Sequence, residues 1–212
     1  MIARPNILPS ALTIAAALMV LFETVCFGSL QPGYSHISKT ISELGETGAL
    51  HAHSVAFGFF FPVGVLVWLA LWLVHRQAPE REASFILAAL SCLGTGYALS
   101  AFFPCDPGGP LFGTWRTLVH NILGFIDYAG TGFGFLLTAR YLKGPSAATQ
   151  ANFFLIAGAL MFIGVGLLSA EGMFHIRGAV QRLTEVIQFG GVFFACCFLP
   201  QCRNRRWEVL TK

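Results

Sequence analysis

The chain has 212 residues, 55% of them hydrophobic and 11% charged. Soluble domains carry about 25% charged residues, so this composition excludes an ordinary soluble domain and indicates a polytopic membrane protein. The formal net charge of +3 is too small, and too one-sided along the chain, to signal a nucleic-acid partner.

A helix needs about 20 mostly apolar residues to cross a bilayer. Six segments meet that requirement, at about 7–28, 52–74, 84–103, 117–139, 151–170 and 179–200. The first is long for a signal-peptide core, Glu23 interrupts its end, and no small-x-small cleavage site follows it; it reads as a retained helix. The expected fold is an all-α integral membrane protein. It is a six-helix transmembrane bundle within a single domain over residues 1–212, with a short surface helix in the first outer loop.

That first outer connection runs from Ser29 to His51. Pro32-Gly33 is a turn, and Thr40 to Glu43 has capping-box spacing. Ile37, Ile41 and Leu44 recur on one helical face, and Gly45 can end the turn. The second outer connection, Phe102 to Pro110, is too rich in proline and glycine to continue a helix. It fixes a turn that presents Cys105 and Asp106. The third holds Glu171, His175 and Arg177 and leads into Gln181, Arg182, Glu185 and Gln188. Gln181, Glu185 and Gln188 follow i, i+4, i+7, so they share a helix face that must point into the bundle. Arg182 and Glu185 stand at i, i+3 and can partly neutralise one another.

Orientation follows from Lys and Arg, which concentrate on the cytoplasmic side. One set of helix ends carries Arg4, Arg76, Arg81, Arg140, Lys143, Arg203, Arg205, Arg206 and Lys212. The other carries only Lys39, Arg116, Arg177 and Arg182. Both termini are therefore expected in the cytoplasm of a cell (inner) membrane. His36, His51, His53, His120 and His175 then face outward, with only His75 on the inner side. Cys26 and Cys105 both fall near the outer face, where one disulfide between them is open. Cys92 is mid-membrane, and Cys196, Cys197 and Cys202 lie at the inner, reducing end.

Titratable groups within a membrane are expensive and tend to mark function. His120 and Asp127 are seven residues apart on the fourth span, hence on one face about 10 Å apart along the axis. A lone Asp127 near mid-depth must find a partner or become protonated, and Arg182, Glu185 and Glu23 are at suitable depth to partner it. The expected site is a polar pocket of His120, Asp127, Arg182 and Glu185, open to the outer face. Glu43, Asp106, Glu171, His175 and Gln188 are candidate ligand contacts. A metal site, Zn by the chemistry of its donors, would draw on His53, His120 and His175. Haem would need His53 facing His120, and no second pair at the inner face supports electron transfer across the membrane.

The segments Ser38-Lys-Thr-Ile-Ser-Glu-Leu-Gly45, Phe103-Pro-Cys-Asp-Pro-Gly108, His120 opening a helix, and Gly178-Ala-Val-Gln-Arg182 occur in that order. Together they resemble the prokaryotic integral-membrane family catalogued as domain of unknown function 998, over essentially the whole chain. The resemblance implies a six-helix membrane protein and no particular reaction. Two functions fit these residues: binding or processing a membrane lipid or other amphiphile in the outer pocket, or a non-catalytic accessory or assembly role beside a membrane-protein partner or a second copy of the chain.

Overall fold

The computed structural model describes residues 7–142 and 147–210, with side chains described as far as Gln201 in the last helix. It has six helices long and apolar enough to cross a membrane. They are α1 (Leu8–Leu30), α2 (Ala52–Gln77), α3 (Arg81–Ser100), α4 (Trp115–Tyr141), α5 (Ala148–Leu168) and α6 (Arg177–Leu210). Among the described residues there is no strand, as lipid demands of a chain that must satisfy its backbone within each segment.

Each helix packs on its neighbour in the chain, and α6 closes the ring against α1. α6 also reaches α2, α3 and α4, which makes it the helix around which the bundle is arranged. The buried core is aliphatic and aromatic, including Val63, Val67, Leu90, Leu93, Phe135, Phe154 and Met161. Large apolar side chains such as Leu18, Trp72, Ile122, Ile156 and Val186 stay exposed on the outside of the ring, where lipid is the natural solvent.

α2 is not uniform. A π turn at Ala56–Phe60 stands directly before Pro62. Proline lacks the N–H that an α turn would use, and the wider turn absorbs that gap. It also directs Phe60 toward the interior beside Tyr97, with ring centroids 5.8 Å apart.

The two ends of the bundle differ. At one end the connection from α2 to α3 is short. Arg76 and Arg81 there lie over Trp72 and Phe85 at 5.4 and 5.6 Å. Of the basic residues that set the expected orientation, Arg4, Lys143 and Lys212 lie outside the described residues, as do the side chains of Arg203, Arg205 and Arg206. At the other end, the three long connections fold over the helix mouths. The expected short helix of the first one is a single 3-10 turn, Ser42–Gly45. Ile41, Glu43 and Leu44 are buried, while Ile37 is exposed. The segment therefore plugs the bundle instead of lying flat on its surface. Capping-box spacing is real, since Glu43 Oε1 accepts from the Thr40 backbone N–H at 2.8 Å. Glu43 Oε1 also accepts from Arg177 at the start of α6.

Candidate functional site

Four side chains descend one face of α6: Arg177, Gln181, Glu185 and Gln188. They cover about 16 Å of helix at 1.5 Å per residue, and all four are buried. Each meets a different layer of the bundle.

The top layer is a clasp between the three connections. Arg177 donates to Glu43 Oε1 at 2.9 Å and to the Gly109 carbonyl at 2.7 Å, and also to the Gly108 carbonyl. Gly108 and Gly109 take left-handed backbone angles, φ 78° and 50°, which only glycine adopts without strain. This turns both carbonyls toward the guanidinium. Glu46 Oε2 accepts from the Gly108 N–H at 2.6 Å, and the Thr47 N–H donates to the Cys105 carbonyl at 2.8 Å. Cys105 is buried beneath Ser42, and burial pushes its thiol up to about 12. Cys26 and Cys105 are both free thiols, so the disulfide left open by the sequence is absent.

Asp106 has a structural task. Its carboxylate accepts from the Thr114 N–H at 2.7 Å and the Thr114 hydroxyl at 2.9 Å, across the start of α4. The Thr114 N–H, chiefly, holds this carboxyl below the usual range.

Arg182 turns away from the acids. It donates to the Lys39 and Gly178 carbonyls at 2.9 and 2.8 Å, to the Tyr34 hydroxyl at 2.7 Å, and to His36 Nδ1 at 3.2 Å. Burial raises the Tyr34 hydroxyl to about 12, against the opposing effect of Arg182. Burial, and next the Arg182 charge, lowers the His36 imidazole. Arg182 thus joins α6 to the first connection and makes no ion pair with Glu185, contrary to the i, i+3 pairing expected from spacing.

The lower layers hold the polar groups of α4. Gln181 Oε1 accepts from the Ile41 N–H at 2.6 Å, and its amide donates to the Tyr128 hydroxyl at 3.2 Å. Tyr128 donates to Glu185 Oε1 at 2.6 Å. Gln188 donates to Asp127 Oδ1 and, at 3.0 Å, to Thr131 Oγ1. Several buried acceptors are left over: Glu185 Oε2, Gln188 Oε1 and both carboxylate oxygens of Glu23 have no hydrogen-bond partner. Among the described residues the ion pairs are Arg177–Glu43 and Lys39–Glu43, and neither reaches these acids.

Between the clasp and the acids lies a cavity of about 150 Å³. Tyr97 and Ser100 of α3, His120, Phe125 and Asp127 of α4, Val165 and Leu168 of α5, and Arg177 and Glu185 of α6 line it. It exists because α4 and α5 meet closely below it and part above it. A Cβ on Gly132 would stand 2.9 Å from the Met161 Cβ, and one on Gly158 would stand 3.0 Å from the Gly132 carbonyl. At Gly124, by contrast, a Cβ would meet nothing within 4 Å.

His120 is set by its backbone partner. Nδ1 lies 2.8 Å from the Phe103 carbonyl. A carbonyl only accepts, so Nδ1 carries the hydrogen, and in the neutral ring Nε2 presents a lone pair. The geometry therefore brings His120, Asp127 and Glu185 to one cavity. Arg177 stands there in the place that sequence spacing assigned to Arg182.

The remaining candidates lie elsewhere. Glu43 belongs to the clasp and Gln188 to the floor beneath Asp127. Glu171 and His175 are exposed on the third connection. His53 is exposed on α2 with its ring 4.9 Å from Phe57. Thus His53, His120 and His175 sit on three separate elements, and among the described residues no group of three or more His, Cys, Asp or Glu is placed to hold a metal ion.

The chain matches the family described as Protein of unknown function (DUF998) over residues 13–207. It belongs to that family. The matched region contains α1 from Thr13 onward, the spanning portions of the other five helices and every layer of the α6 face, so the clasp, the cavity and the acids all lie within the DUF998 unit. No curated protein and no solved structure matches the chain. The residues that sequence reasoning missed are Arg177, Glu46, Tyr34 and Tyr97. The available signal was Glu43, a carboxylate amid buried apolar positions, which needed a cation from another connection.

Proposed function

We propose that this DUF998 protein is a cell-membrane protein that holds the polar end of an amphiphile in the cavity above Asp127 and Glu185. In this reading the clasped end faces outward and both termini are cytoplasmic. The distribution of Lys and Arg supports that orientation. The aromatics Phe112 and Trp115, 81% and 62% exposed at the clasped end, suit the headgroup region, where such rings accumulate.

One observation carries the binding reading: Glu185 lines the cavity with Oε2 unpartnered. A buried acceptor without a donor costs roughly 1–3 kcal/mol, and a ligand bearing a donor would remove that cost. The cavity is smaller than the roughly 300–1,000 Å³ of a pocket that encloses a drug-sized molecule. It suits a headgroup whose tail remains outside. Phe125 supports a lateral approach, because it lines the cavity and is also 58% exposed on the outer face of the ring.

The test is native mass spectrometry of protein extracted gently from its membrane. A retained amphiphile, lost in Gly124→Leu, is the expected result, since leucine would fill open space in the cavity wall. A spectrum with no adduct, or an adduct equally retained by Gly124→Leu, would contradict the reading.

A further inference from the structure

The Nη, amide and imidazole N–H groups described for the lining residues are engaged by the protein, while Arg182 Nε, on a residue outside the lining, is buried without a partner. The Arg177 Nη groups are held by Glu43, Gly108 and Gly109, and Asn121 donates to the Pro110 and Leu111 carbonyls at 3.0 and 2.9 Å. Gln181 donates to Tyr128, and His120 Nδ1 to Phe103. Beside these the cavity presents Glu185 Oε2, which has no hydrogen-bond partner, and the lone pair of His120 Nε2, with Asp127 and the hydroxyls of Tyr97 and Ser100 also in its wall. We infer that the cavity selects a primary ammonium group, with Glu185 Oε2 and His120 Nε2 accepting its hydrogens.

The inference rests on the reading that the cavity holds a ligand, and it names that ligand's class. An ammonium brings three donors and no acceptor, which complements a lining of acceptors. It also brings the positive charge that Asp127 and Glu185 lack, in a region where an uncompensated charge is costly. Phe60, Tyr97 and Phe125 supply aromatic walls, which attract a cation further. An alcohol would donate only once and would bring no charge, with the Tyr97 and Ser100 hydroxyls as the donors left for its lone pairs. A carboxylate or phosphate would face two acids. The ammonium can come from a lipid headgroup or from a small free amine, and chain length separates these sources.

The protein is placed in nanodiscs of phosphatidylcholine, which has no N–H donors. Its apparent affinities for decylamine, decanol, decanoate and butylamine are read from shifts in unfolding temperature. Decylamine is expected to bind about tenfold tighter than decanol, the difference expected of one charge-assisted hydrogen bond over a neutral one, with decanoate weakest. Glu185→Gln should bring the amine down to the alcohol. Gly124→Leu, which leaves every polar group in place, should weaken both. Decylamine alone binding supports a lipid source, and butylamine binding equally supports a free amine. Equal affinity for amine and alcohol, with both weakened by Gly124→Leu, overturns the ammonium preference while leaving the cavity reading intact. Binding of none of the four overturns both. Amine binding indifferent to both variants is surfactant insertion and also overturns the inference.

Discussion

Glu43 and Arg177 are 134 residues apart in sequence, yet Arg177 Nη2 stands 2.9 Å from Glu43 Oε1 with both side chains buried. This contact ties the first connection to the start of α6, and through Gly108 and Gly109 it ties in the second connection as well. Removing one partner of a buried pair leaves an uncompensated charge and costs about 3–5 kcal/mol. Arg177→Met should therefore lower stability by that amount. Arg177→Met combined with Glu43→Leu should lower it by much less than the sum of the single changes. A double-mutant cycle by thermal or denaturant unfolding in detergent measures the coupling; additive losses would show that the pair is not coupled.

Gly178 and Gly124 make opposite predictions for the same substitution. A Cβ on Gly178 would collide with the Lys39 carbonyl, because the first turn of α6 lies against the first connection and the Ala179 N–H donates to the Ile37 carbonyl at 2.9 Å. Gly178→Ala should cost roughly 1–3 kcal/mol as an overpacked contact. Gly124→Ala enters open space and should be neutral or stabilising by up to about 1 kcal/mol, through helix propensity. Unfolding midpoints of the two variants check this contrast directly.

The spans were legible because length and hydropathy alone decide them. The six expected segments fall on the six helices to within three residues at each end, except that α6 continues ten residues past its expected end. The inward face of Gln181, Glu185 and Gln188 was legible for a similar reason: helical spacing fixes a face, and lipid forbids that face outside. Arg182 marks the limit of this reasoning. It sits one position from Gln181, so its long side chain can leave the acids' face and reach Tyr34, His36 and two carbonyls. Arg177 looked like a loop charge because nothing local reveals that Gly108 and Gly109 aim carbonyls at it. Contacts between connections depend on how the loops fold over the mouth, and neither periodicity nor hydropathy encodes that.

Asp106 gives an acid-side prediction. Its carboxyl is held down first by the Thr114 N–H and then by the Thr117 and Thr114 hydroxyls, with burial opposing. Its folded value therefore lies below the unfolded value of about 3.9. The stabilisation is present above that pH and is lost as pH falls through the folded value. Asp106→Asn should be less stable than the native chain at pH 7, and the gap between the two should narrow as pH falls toward the folded value. Unfolding midpoints across pH 7 to 3 test this, and a constant gap at all pH values would contradict it.

His36 acts nearer neutrality. Its Nδ1 accepts from Arg182, which a protonated ring cannot do, and burial followed by the Arg182 charge lowers it. A histidine lowered in the folded state binds fewer protons there than in the unfolded chain. Its contribution is therefore complete above about pH 6.5 and falls as pH drops below that value. His36→Gln, which keeps an acceptor but does not titrate, should flatten the dependence of the unfolding midpoint between pH 7 and 5. An unchanged slope would show that His36 does not link the Arg182 contact to pH.

The most direct test of the account is a high-resolution density map of the protein purified with its native lipids. The predicted result is density in the cavity between α4, α5 and α6, within hydrogen-bond distance of Glu185 Oε2, with Arg177 still clasping Glu43. A cavity closed by its own side chains, with Arg182 turned inward to pair with Glu185, would contradict it.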